Sequence, residues 1–114
     1  MLSNIIAAAA VTAVPTQLWH VGDDGLSLKV SASIETTFKR DPVFTVGAQG
    51  DFIVSAPVTN VTFDREGSRP LVFFSYEISR AGMILADGDV RCSEQALADC
   101  AKVVVRAARK AVSK

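Results

Sequence analysis

The sequence is poor in the residues from which active sites are usually built. Among 114 residues there is one histidine, His20, and there are two cysteines, Cys92 and Cys100. A single imidazole leaves little for histidine-based metal sites or acid–base dyads, and a packed or surface ring beside Trp19 is the simpler reading. Two cysteines define neither a disulfide framework nor a metal site. If both lay in one helix they would stand about 12 Å apart along its axis, too far to bridge each other. Cys100 then reads as a buried thiol, and Cys92 as free or paired with a second chain. A glycine-rich phosphate loop is missing, because Gly47 and Gly50 lack the strand-to-helix context it requires. Asp23-Asp24 and Asp87-Gly88-Asp89 lack the spacing of a calcium loop and read as turns. Glu35, Asp64 and Glu77 carry no pattern that would set a catalytic separation. Charge of neither sign dominates: twelve Lys and Arg meet twelve Asp and Glu, which removes any global pull towards nucleic acid or membrane. These gaps predict a protein that is not an enzyme, with no metal and no cofactor.

What is present supports a core. Apolar residues make up 49% and charged residues 21%, and residues 1–114 are read as one domain. The organising stretch is Ser93–Val112. Leu97, Cys100, Ala101, Val104, Val105, Ala108 and Val112 recur at spacings of three and four, which predicts one amphipathic helix over 93–112. Ser93 suits the cap and Glu94 the first turn. The five cations after Asp99, Lys102, Arg106, Arg109, Lys110 and Lys114, meet no acid; a solvated helix face explains them, and a contact with RNA, an acidic partner or a neighbouring subunit is the alternative.

Upstream, the pattern reads as strands over 18–80. Leu18–Val21 and the Gly22–Gly25 turn lead into Leu26–Lys39, where every second residue from Leu26 to Phe38 is apolar or Thr. That predicts a half-buried antiparallel strand. Val43–Gln49, Phe52–Ala56, Val58–Asp64 and Leu71–Arg80 follow as strands, with a bulge or bend expected beside Pro57. Ala81–Arg91 is ambiguous: Asp87–Asp89 is expected to turn, and Met83-Ile84-Leu85 to cap the core. Residues 1–14 are apolar and alanine-rich but have no Lys or Arg before the apolar run, so an edge strand or arm is expected. They are too short to cross a bilayer, and no membrane contact is expected. The fold class is therefore α+β: an N-terminal hairpin and antiparallel meander, with one face covered by the C-terminal helix.

The opposite sheet face would carry Lys29, Ser31, Asn60, Thr62, Ser75 and Glu77. Short hydroxyl and amide groups on a rigid sheet suit the edges of unstacked RNA bases. They equally suit water.

Trp19–Leu26 as a hairpin, Leu28–Ser33 entering a meander, and Leu71–Ser79 followed by a helix over 93–112 resemble the plan of the coat proteins of small single-stranded RNA bacteriophages. That resemblance implies an interlocked homodimer, with Leu97, Cys100, Val104, Val105 and Ala108 packing on the partner's sheet. It also implies a shell in a virion, assembled in the bacterial host cytoplasm, with genomic single-stranded RNA on the six polar residues. Such coat proteins carry two C-terminal helical segments, whereas one is predicted here. The alternative is a small secreted or periplasmic α+β domain, binding or inhibitor-like, with residues 1–13 as its leader. A third reading is a small cytoplasmic homodimer without RNA.

Overall fold

The computed structural model describes residues 13–19, 25–47, 49–56, 58–64 and 69–113, with backbone alone for Leu26 and for residues 58–64, 69 and 70. The chain runs β1 (Val14–Trp19), α1 (Gly25–Lys39), β2 (Phe44–Val46), β3 (Phe52–Ser55), β4 (Val58–Asp64), β5 (Arg69–Arg80) and β6 (Met83–Ser93). A short 3-10 turn (Glu94–Ala96) leads into α2 (Leu97–Val112). The class is α+β, with the C-terminal helix on a mixed sheet.

The strands form five rows. β1 lies between β2 and β3 and is parallel to both. β3 and β4 lie end to end along one edge of β5, antiparallel to it, and β6 runs antiparallel along the other edge. Ser55 pairs with Glu77 and Val58 with Phe74, so a single register runs past position 57. The irregularity expected beside Pro57 falls between Val58 and Asn60.

The N-terminal hairpin and all-antiparallel meander are corrected by α1. Residues 26–38 alternate as a strand would, yet they are helical. A strictly alternating apolar row contains a second row at every fourth position, which is the stripe of a helix. Val30, Ile34 and Phe38 form that stripe and are buried, whereas Leu28 is 49% exposed. The phase is confirmed from the polar side, since Ser27 is buried as well. Thr37 Oγ1 donates to the Ser33 carbonyl at 2.8 Å, the i−4 bond with which a threonine accommodates itself in a helix. The Phe38 ring meets Phe44 edge-on at 4.9 Å, and Phe44 stacks on Phe52 at 6.0 Å, which ties helix to sheet.

α2 buries Cys100, Ala101, Val104, Val105, Ala108 and Ala111, and Leu97 packs half-buried beside them. Ser93 caps the preceding turn, its Oγ accepting from the Gln95 N–H at 3.1 Å. This helix lies on the sheet of its own chain. α1 covers the rest of the apolar face within the same chain, through Val30, Ile34 and Phe38.

The segment 81–91 is the second correction. Arg80 pairs with Met83 across a two-residue turn in which Ala81 (φ 52°) and Gly82 (φ 82°) are both left-handed, the geometry of a tight hairpin. Asp87-Gly88-Asp89 is therefore mid-strand. Gly88 is needed for space: a Cβ there would lie 2.7 Å from the Tyr76 hydroxyl across the ladder. Met83 and Ile84 sit at the hairpin tip, 68% and 58% exposed, and do not cap the core.

Because β6 extends to Ser93, Cys92 is a strand residue and not a helical one. Cys100, in the first turns of α2, folds back over it. Their Cα atoms are 5.9 Å apart and the sulfurs are bonded, which overturns the expectation of two unbridged thiols. A loop of this length contributes about 2.5 kcal/mol in the chain-entropy account. Reduction is expected to lower the thermal midpoint by roughly 10 °C while leaving the far-ultraviolet circular dichroism at 25 °C unchanged. A midpoint indifferent to reductant would argue against the bridge.

Candidate functional site

Both helices cover one face of the sheet, so the other face is open to solvent. Side chains at alternate positions of β3, β5 and β6 project there: Val72, Phe74 and Ile78 are buried on the helix side, and Ser75 and Glu77 fall between them. The register sets Ser75 opposite Asp89, Glu77 opposite Asp87, and Ser55 opposite Glu77. Ser55, Ser75, Glu77, Asp87 and Asp89 thereby line an open cleft of about 420 Å³. Ser75 Oγ donates to Asp89 Oδ1 at 2.6 Å. Glu77 and Asp87 are like charges directly across a ladder, which costs a few tenths of a kcal/mol or more. No ion pair among the described residues relieves either of them. On the same face the Arg91 guanidinium lies over the Phe73 ring, 5.6 Å from its centroid.

A second, smaller hollow of about 150 Å³ lies at the carboxyl ends of the parallel strands β1 and β3, under α1. Leu18, Trp19, Ile34, Val54 and Ala56 form its apolar wall, and Ser31 and Glu35 its rim. Trp19 is 54% exposed, its indole N–H donating to Gln17 Oε1 at 3.1 Å.

The six polar residues expected on one surface do not share one. Ser75 and Glu77 are in the cleft. Asn60 and Thr62 are in β4, in register with Phe73 and Leu71 of β5. Lys29 and Ser31 belong to α1, in the layer on the other side of the sheet. Lys29 Nζ bonds Glu94 Oε2 at 3.3 Å, and Ser31 borders the small hollow. Asp87 and Asp89 were missed because Asp-Gly-Asp is so strong a turn signal, and the tyrosine that explains the glycine is set opposite it only by the strand register. His20 and the Gly22–Asp24 part of the expected turn lie outside the described residues. Among those residues no three His, Cys, Asp or Glu side chains are placed so as to hold a metal ion, and no helix is long and apolar enough to cross a membrane.

One carboxylate is held in a defined electrostatic setting. Arg109 Nε donates to Asp41 Oδ2 at 2.6 Å and its Nη2 to Oδ1 at 3.0 Å, a fork that closes α2 onto the end of α1. The Asp41 side chain is only 10% exposed. The Arg109 hydrogen bonds hold its carboxyl below the usual range against the opposing pull of burial, and the Val43 N–H helps. A carboxyl depressed in the folded state stabilises the fold above its unfolded value, near 3.9. That contribution is lost as pH falls through the folded value. Asp41→Asn is expected to flatten the acid limb of stability below about pH 4. Urea midpoints across that range read the change, and an unaltered slope would remove the pair from the account.

No family model matches this chain, and no curated protein matches it. Solved structures do. A DUF330 protein from Xanthomonas campestris superposes with a TM-score of 0.68 at 10% identity, covering 90% of this chain and 90% of that one. TolB from Acinetobacter baumannii gives 0.60 at 13% identity, over 89% of this chain and 28% of TolB. A minor lipoprotein from the same organism gives 0.51 at 10% identity, over 84% and 94%. At such identities the likeness is one of fold. It replaces the phage coat plan: the shared architecture is the mixed sheet with helices on one face, found in bacterial proteins. The expected capsid function and virion location fall with it, because both rested on an antiparallel meander and a hairpin where β1 and α1 stand.

Proposed function

We propose that this protein is a small α+β binding domain that folds and works outside the cytoplasm, in the bacterial cell envelope. The Cys92–Cys100 disulfide carries this reading, because such bonds persist in oxidising compartments and are rare in the cytosol. The likeness in fold to a protein named a lipoprotein and to TolB supports the same location. β1 begins at Val14, so removal of residues 1–13 as a leader would leave every described element in place.

The cleft on the open sheet face is its binding surface. Glu77 and Asp87, without an ion pair among the described residues, beside the hydroxyls of Ser55 and Ser75, suit a partner bearing amino or hydroxyl groups, held by charge-assisted hydrogen bonds. We read it as a binding surface: Ser75 faces a carboxylate, and among the described residues no imidazole lies beside it to take its proton.

Expression of the full chain in a Gram-negative bacterium, with osmotic-shock fractionation, thiol alkylation and mass spectrometry, tests the proposal. The expected product is periplasmic, begins at or next to Val14, and resists alkylation until reduced. A cytoplasmic product with two alkylated thiols and Met1 retained would defeat it.

A further inference from the structure

β6 is the outermost row of the sheet. It pairs with β5, and no other strand among the described residues pairs with its free edge. Ala86–Ser93 runs opposite Leu71–Ile78 in unbroken register, and the irregularity in β6 is confined to the tip side, at Leu85. A straight edge with unpaired N–H and C=O groups is a template for another strand. Above this edge α2 presents a flank that α1 does not cover. Val103, Arg106 and Lys110 line a hollow of about 380 Å³ against Tyr76 and Ala86. Asp99 precedes them on the same row, at the i, i+4, i+7, i+11 spacing of one helix face. Val103 is 38% exposed there, the only large apolar side chain of α2 so exposed among the described residues.

We propose that this edge docks a second copy of the chain, β6 antiparallel to β6 about a twofold axis at Val90, extending five rows of sheet to ten. Two separate patterns select that axis. On the strand, an axis at Val90 sets Asp89 opposite the partner's Arg91, twice over. An axis at Gly88 would oppose Asp87 to the partner's Asp89, and an axis at Asp89 would stack that carboxylate on itself. On the helix, antiparallel copies of the flank set Asp99 against the partner's Lys110, while Val103 meets the aliphatic stem of the partner's Arg106. That helix is acid at its first turns and basic at its last, so it complements itself only when antiparallel.

The two centres coincide. The helix flank is symmetric about the midpoint of Val104 and Val105, about 7 Å beyond Cys100 at the helical rise. Val90 lies about 7 Å before Cys92 at the strand rise. The disulfide pins Cys92 to Cys100, and α2 returns over β6 towards Ala86, so one axis serves both. Such an interface is isologous and closed, which ends growth of the sheet at two copies.

Sedimentation equilibrium of the full chain over a hundredfold range of concentration tests this, with Asp99→Lys, Lys110→Asp and the double variant beside the parent. The expected result is a reversible dimer. Each single reversal should weaken it about tenfold or more by opposing like charges, and the double reversal should restore the parent affinity to within a few-fold. Both residues are exposed, so the monomer fold should survive, which circular dichroism checks. A parent that stays monomeric throughout overturns the proposal. So does a dimer indifferent to the single reversals, or a monomer whose β6 edge takes up an unrelated extended peptide. None of these outcomes touches the envelope location, which is read by fractionation.

Discussion

Replacing Val104 by aspartate is expected to leave no cooperatively folded protein. Val104 is fully buried on α2, between Cys100 and Ala108, in a cluster whose other members are apolar. A carboxylate there is surrounded, among the described residues, by apolar side chains and is shut off from solvent. Burial of such a group costs about 4 kcal/mol or more, even after the surroundings relax. A domain of this size has roughly 5–15 kcal/mol in total, and the contribution of the disulfide is already part of that sum. Lys102→Gln, on the exposed side of the same helix, should stay within about 0.5 kcal/mol of the parent. Urea unfolding of the two variants side by side reads the difference. Similar midpoints would mean that α2 is not facing the sheet as described.

The facing of α2 was legible because its apolar residues are confined to a stripe and its charges to the rest. No second period competes in that segment. Cys100, Val104, Val105 and Ala108 all fall inside, as the spacing alone requires. The segment before it was not legible, and for a specific reason. Leu26–Phe38 satisfies a period of two and, through Val30, Ile34 and Phe38, a period of four. With Ser, Ala and Thr at most of the remaining positions and only Lys29 and Glu35 charged, neither face is charged enough to settle the matter. Only the tertiary setting decides: β2 and β1 are parallel, and a parallel pair needs a crossover that a hairpin cannot provide.

The cleft was half legible. Ser75 and Glu77 were found because β5 alternates cleanly, with Val72, Phe74 and Ile78 buried. Asp87 and Asp89 were hidden by a local rule that is usually sound, in which Asp-Gly-Asp makes a turn. Here the glycine serves the Tyr76 side chain across the ladder, a partner twelve positions away that no local pattern reports. The disulfide was hidden by the same error, because an undetected strand left Cys92 unplaced just before the helix cap.

That double periodicity yields the second large effect. If residues 26–38 formed an alternating strand, Leu28 and Phe38 would share one buried face and both would be costly to truncate. In the helix they part company: Phe38 is fully buried, its ring against Phe44, while Leu28 is about half exposed. Phe38→Ala removes a ring from a packed junction and leaves a cavity, for an expected loss of about 3–5 kcal/mol. At roughly 4 °C per kcal/mol for a chain of this size, the midpoint should fall by more than 10 °C. Leu28→Ala trades a half-exposed side chain for the best helix former, and the two effects nearly cancel, within about 0.5 kcal/mol. Urea denaturation of both variants, with the slope required to match the parent so that the comparison is one of stability, gives the answer. Equal losses at the two positions would reinstate the strand, and with it the antiparallel hairpin that α1 displaces.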